Sequence, residues 1–143
     1  MEPLMKRSPP GVQAIDHVHV YVSNRNASER WYEEVLGFAR SKELEFWAAD
    51  GGPLTIQDAS AKVHIALFER PVEKCRSVVA IGVDGGAFLA WKVHLSEVLA
   101  EPPSLEDHDL SWSLYFRDPD GNPYEITTYE YQAVKHSLAT SDA

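Results

Sequence analysis

Apolar and polar positions follow two periods along this chain, and the two periods come in the same order twice. "AIDHVHVYV" (14–22) is rich in β-branched and aromatic residues that alternate with polar ones, which predicts a strand. "NASERWYEEVLGF" (26–38) then sets Ala27, Trp31, Val35 and Leu36 at helical spacing and stops at Gly37, a residue suited to a helix C-cap. Three short segments follow, "LEFWAAD" (44–50), "PLTIQDA" (53–59) and "KVHIALFER" (62–70), parted by Gly51-Gly52 and polar residues; they read as three antiparallel strands. The second half repeats the order. "SVVAIGVD" (77–84) predicts a strand, Gly85-Gly86 a turn and "AFLAWKVHLSEVLA" (87–100) a helix that Pro102-Pro103 ends. A further short strand falls near 101–108, and "SWSLYFRD" (111–118) and "NPYEITTYE" (122–130) are strands around the turn "DPDG".

The prediction is therefore an α+β domain over 14–130, built of two tandem βαβββ modules at about 14–70 and 76–130. Polar or proline-bearing tails, 1–13 and 131–143, flank it. A chain of 143 residues suffices for one domain with a real core and not for two ordinary ones.

A net charge of −9 repels phosphate backbones and anionic lipid heads, so nucleic acid and membrane surfaces are not expected partners. No run approaches the length of a membrane span, and "MEPLMKRSPPGVQ" lacks the apolar core of a signal peptide, so a cytoplasmic location is expected. Cys75 is the single cysteine, which excludes an intrachain disulfide and a cysteine-rich zinc cluster. It is read as structural, and His94 and His136 are given no role.

Two stretches, "DHVHVYVSNRNASERWYEEVLGF" and "YFRDPDGNPYEI", resemble the vicinal oxygen chelate family, which includes glyoxalase, fosfomycin-resistance enzymes, extradiol ring-cleaving dioxygenases and bleomycin-resistance proteins. The resemblance implies that the paired modules curl into a cupped, incomplete mixed β-barrel with helices outside. It also implies a divalent metal in the cup and a homodimer whose second chain often completes the site.

Strand alternation sets His17, His19 and Tyr21 on one face. By the resemblance His17 is the first metal ligand and His19 lines the pocket. His64 falls where glyoxalase-like members supply a Glu, and imidazole is a sound replacement on Zn, Fe, Ni or Mn. Glu125 matches the final carboxylate ligand; set between Tyr124 and Ile126, it is costly to bury without a positive partner. His17, His64 and Glu125 would form a two-histidine, one-carboxylate set with open positions, the mark of a catalytic site. The departure is in "SVVAIGVD", where Val78 stands at a position that the family usually gives to a histidine.

Tyr115 and His108 are similar to the substrate-binding tyrosine and the acid–base histidine of ring-cleaving members, and a histidine is a natural proton shuttle. Among the aromatics, Phe46 and Trp47 alternate to opposite faces of their predicted strand, so one of them, Trp47 in the pocket assignment, faces the cup. The functional expectation is a small enzyme in which Fe(II), Mn(II), Zn(II) or Ni(II) chelates two neighbouring oxygens of a small-molecule substrate, by dioxygenase-like or glyoxalase/lyase-like chemistry. The alternative is a metal-free protein that sequesters a ligand or drug, as bleomycin-resistance proteins do; the charge of −9 suits a cationic ligand.

Overall fold

In the computed structural model, which describes residues 8–141, the strands fall into two four-stranded mixed sheets, one for each module. The first module runs β1 (His17–Val22), α1 (Arg25–Trp31) with a π-helical turn at Tyr32–Leu36, β2 (Ala39–Arg40), β3 (Leu54–Gln57) and β4 (His64–Glu69). The second runs β5 (Val79–Gly82), α2 (Gly85–Val98), β6 (Ser104–Asp107), β7 (Trp112–Arg117) and β8 (Pro123–Thr128). Strand order is β1-β4-β3-β2 in one sheet and β5-β8-β7-β6 in the other, with the first and last strands of each module parallel. The tandem repeat expected from the hydrophobic pattern is thus present, with no closed barrel.

The helices α1 and α2 each begin where an asparagine or aspartate caps them. The Asn24 side chain accepts from the Ala27 amide at 3.0 Å, and that of Asp84 from the Ala87 amide at 2.8 Å. Gly37 ends the first helix in the left-handed conformation, with φ of 71°. One face of both sheets is apolar and packs on the helices: Val20, Val22, Ile65, Leu67, Leu114 and Ile126 are buried with Tyr32, Leu36, Phe88 and Leu95 in a single core. That leaves the opposite faces for polar side chains.

Three expectations are corrected. Residues 44–50 are not a strand: Lys42–Gly51 form 3-10 turns that end through Ala49 and Asp50, the latter left-handed at φ of 56°. The backbone carbonyls there are held by arginines rather than by a sheet, from Arg25 to Gly52 (2.7 Å) and Ala48 (3.2 Å) and from Arg70 to Gly51 (2.8 Å). Gly85-Gly86 is no turn but the start of α2, where the Glu130 carboxylate accepts from the Gly85 amide. Residues 131–141 are not a loose tail: α3 (Tyr131–Ser141) packs Val134, fully buried, and Leu138 against the core, and 142–143 lie outside the described residues. Val134 and Leu138 are four apart, one helical turn, so a short apolar stripe suffices to dock it. Of the N-terminal tail, 8–13 are exposed and irregular, and 1–7 lie outside the described residues.

Candidate functional site

Because the even-numbered residues of β1 are apolar and enter the core, its odd-numbered residues project from the other face. His17 and His19 are accordingly exposed, while Val20 and Val22 are buried. Parallel pairing with β4 puts His17 beside His64, His19 beside Ala66 and Tyr21 beside Phe68 on that face. Thr55 and Gln57 of β3 are the next partners across the sheet. The 3-10 segment Lys42–Gly51 lies over this face and encloses a cavity of about 280 Å³. Its walls are His17, His19 and His64 on one side and Leu44, Trp47 and Pro53 on the other. Trp47 therefore lines this cavity by way of a 3-10 turn and not by strand alternation; Phe46 is also outward, 69% exposed, with its ring 5.6 Å from that of Trp47.

Hydrogen bonds set the imidazole orientations. His17 Nδ1–H donates to the Asp16 carboxylate at 2.8 Å, and His64 Nδ1 lies 3.3 Å from the Asp16 main-chain oxygen. One residue thus engages two of the rings, and each is left with Nε2 free of these contacts. The Nε2 atoms of His17 and His19 stand 3.0 Å apart. In the tautomer that carries a single proton, at Nδ1, His17 offers a lone pair at Nε2 and His19 is the donor of that bond. The row continues as His19 packs on Phe68 at 4.8 Å and Phe68 on Tyr21 at 6.1 Å.

The second sheet shows the same division. Glu125 and Tyr115 are register partners on its polar face, and Ser113 Oγ donates to Glu125 Oε2 at 2.6 Å. His108, in the loop after β6, places Nε2 3.0 Å from the Tyr115 hydroxyl, edge to face. The histidine and the tyrosine that the sequence singled out therefore touch.

What the chain does not do is gather the three expected ligands. His17 and His64 belong to the first sheet and Glu125 to the second, and among the described residues no three His, Cys, Asp or Glu side chains are grouped so as to hold a metal ion. The internal repeat explains part of the mismatch. The turn before β4 is closed by the Asp58 amide on the Val63 carbonyl, the turn before β8 by the Asp118 amide on the Asn122 carbonyl. Matching these turns makes Ala66, not His64, the counterpart of Glu125. His64 therefore precedes the carboxylate position by two residues instead of occupying it. On β5, Ala80 is the partner of Glu125, and Val78 precedes the strand, 46% exposed. Of the expected ligands, His17 thus stands on the polar face of the first sheet and Glu125 on that of the second.

Sequence reasoning missed Asp16 and Ser113, the residues that orient His17 and Glu125. The signals were present: a carboxylate next to the first histidine, and a small hydroxyl two residues before Tyr115 on the same strand face.

The match to known proteins agrees with this architecture. The model of the Glyoxalase/Bleomycin resistance protein/Dioxygenase superfamily matches residues 14–91, more than half of the chain, and the chain belongs to that superfamily. No curated protein matches it. Among solved structures, an integron cassette protein from the mobile metagenome of the Halifax Harbour sewage outfall is similar over 82% of this chain and 99% of its own, at 21% identity and a TM-score of 0.68. A lactoylglutathione lyase from Agrobacterium tumefaciens is similar over 84% of this chain and 95% of its own (22% identity, TM-score 0.63). A glyoxalase/dioxygenase from Nostoc punctiforme is similar over 85% and 99% (20% identity, TM-score 0.59). At such identities the likeness is one of fold.

Proposed function

We propose that this chain is a metal-dependent enzyme of the superfamily that acts on a small substrate with two neighbouring oxygens. The observation that carries the reading is the cavity in which the imidazoles of His17, His19 and His64 face an apolar wall of Leu44, Trp47 and Pro53. Imidazole suits Fe, Mn, Zn or Ni, and such an ion, when bound, would act as a Lewis acid on vicinal oxygens. The apolar wall would hold the carbon body of the substrate and exclude water. His108 and Tyr115, in contact at 3.0 Å, would hold and pass a proton. Glu125 lies in the other sheet, so the reading has it supplied to His17 by a second copy of the chain, in a homodimer.

Metal analysis of the purified, reconstituted protein tests the reading. Stoichiometric metal that is lost in His17→Ala and in Glu125→Ala is expected, with one site restored when the two variants are mixed. A second reading, a metal-free binding protein, is favoured by Val78 and Ala66 at ligand positions, and it prevails if the unmutated protein takes up no metal.

A further inference from the structure

A strand that carries His-x-His on one face can offer two nitrogens to one ion without help from any other element. In β1 the two Nε2 atoms are 3.0 Å apart, and the rings lie nearly parallel at 25° with centroids 5.0 Å apart. Two imidazoles bound to one ion at ~2.0–2.1 Å would have nitrogens about 2.9 Å apart at a right angle and about 3.3 Å apart at the tetrahedral angle. The observed spacing falls in that interval. The Asp16 carboxylate on His17 Nδ1 is the outer partner that metal-bound histidines ordinarily have.

We propose that His19 is a second metal ligand, forming with His17 a clip on β1 that stands in for the histidine that Val78 replaces, and that Asp16 is its positioning residue. The inference rests on the metal-dependent reading above and changes its ligand set. A bound ion would take the place of the proton that His19 Nε2 donates to His17 Nε2, and His19 would then carry that proton at Nδ1. Because both nitrogens come from one strand of one chain, the clip engages an ion before Glu125 is supplied. His64, whose Nδ1 also faces Asp16, lines the pocket beside the clip.

The experiment is a titration of the full-length, metal-free chain with Co(II), followed by its visible absorption, and with Zn(II), followed by imidazole nitrogen chemical shifts. The unmutated chain is expected to bind Co(II), with the His17 and His19 Nε2 resonances shifting together on Zn(II). His19→Ala and His17→Ala should each weaken binding at least tenfold, and Asp16→Asn about tenfold. His19→Gln keeps a donor to His17 Nε2 but is a poor ligand, so it should lose binding as His19→Ala does. Full Co(II) binding by His19→Gln or His19→Ala, with loss in His17→Ala, overturns the clip and leaves the metal-dependent reading standing. No Co(II) binding by the unmutated chain overturns both.

Discussion

Tyr32 of the first module and Tyr124 of the second meet hydroxyl to hydroxyl at 2.8 Å, although 92 positions separate them in the chain. Tyr32 also donates to the Asp118 carboxylate at 2.6 Å, so Tyr124 is the donor between the two tyrosines. The contact ties the modules through their shared core. Tyr32→Phe leaves a buried carboxylate short of a donor and should cost about 1–3 kcal/mol, whereas Tyr124→Phe leaves that bond intact and should cost about 0.5–1.5 kcal/mol. Urea unfolding of the two variants checks the order.

The same pair predicts an alkaline limit. Burial, then the neighbouring Tyr124 and the Asp118 carboxylate, push the Tyr32 hydroxyl far above the usual tyrosine range; burial does the same for Tyr124. Unfolded tyrosine loses its proton near 10.0 while the native groups keep theirs. The contribution is thus complete below that pH and falls as pH rises beyond it. Denaturation midpoints between pH 8 and pH 11 should decline less steeply for Tyr32→Phe than for the unmutated chain.

The twin aspartates at the module turns should differ in weight. Asp118 is buried and accepts from the side chains of Tyr32 and Asn122 and from the amides of Asp120 and Asn122. Asp58, half-buried, accepts from Ser60, Lys62 and Val63. Asp118→Asn should cost about 2–4 kcal/mol and Asp58→Asn about 1 kcal/mol, measured by thermal or urea unfolding. Burial raises the Asp58 pKa, but the hydrogen bonds from Ser60, Val63 and Lys62 outweigh it and hold the carboxyl below its usual value. Its share of stability is therefore present above about pH 3.8 and lost as pH falls through the lower folded value, a loss that Asp58→Asn should not show.

Gly52 fixes the wall that carries Trp47. A Cβ at this position would overlap the Trp47 carbonyl oxygen, a backbone atom that cannot step aside alone. Gly52→Ala should shift the 3-10 segment, raise Trp47 mobility in fluorescence anisotropy and cost about 1–3 kcal/mol. An unchanged pocket in a crystal structure of the variant would contradict this.

The last helix should behave as part of the domain. Val134 is fully buried, so Val134→Ala is expected to cost about 1–3 kcal/mol, and removal of 131–143 more than that. Urea midpoints of the two proteins give the comparison.

Much of this was legible in the sequence where the signal was local. The β1 alternation of histidines with valines already put His17 and His19 on one face, opposite the valines, and Gly37 marked the end of the first helix; its start at the Asn24 cap was not read. The second helix was misjudged at its start because Gly85-Gly86 reads as a turn; the Glu130 carboxylate on the Gly85 amide, a contact spanning 45 positions, keeps them helical. Residues 44–50 were misread because "EFWAA" has no strong period, so distant arginines decided its shape. The α3 stripe was overlooked because two apolar residues make a weak pattern until a core is present to bury them.

The amino-acid sequence alone determined the order of two tandem modules, the superfamily likeness and the face that His17 and His19 share on β1, but not the strand at Ala39–Arg40. The shared face depends on spacing within one strand, and the modules and the likeness on the succession of such local patterns along the chain. Tertiary structure decided the rest: that His64 stands beside His17 but two residues from the carboxylate position, that His108 touches Tyr115, and that Glu125 belongs to a different sheet from the imidazoles. Those relations depend on strand register and on how two sheets are set by a common core. A shift of two residues in register keeps every side chain on its own face and leaves the hydrophobic pattern unchanged, so that pattern could not reveal it.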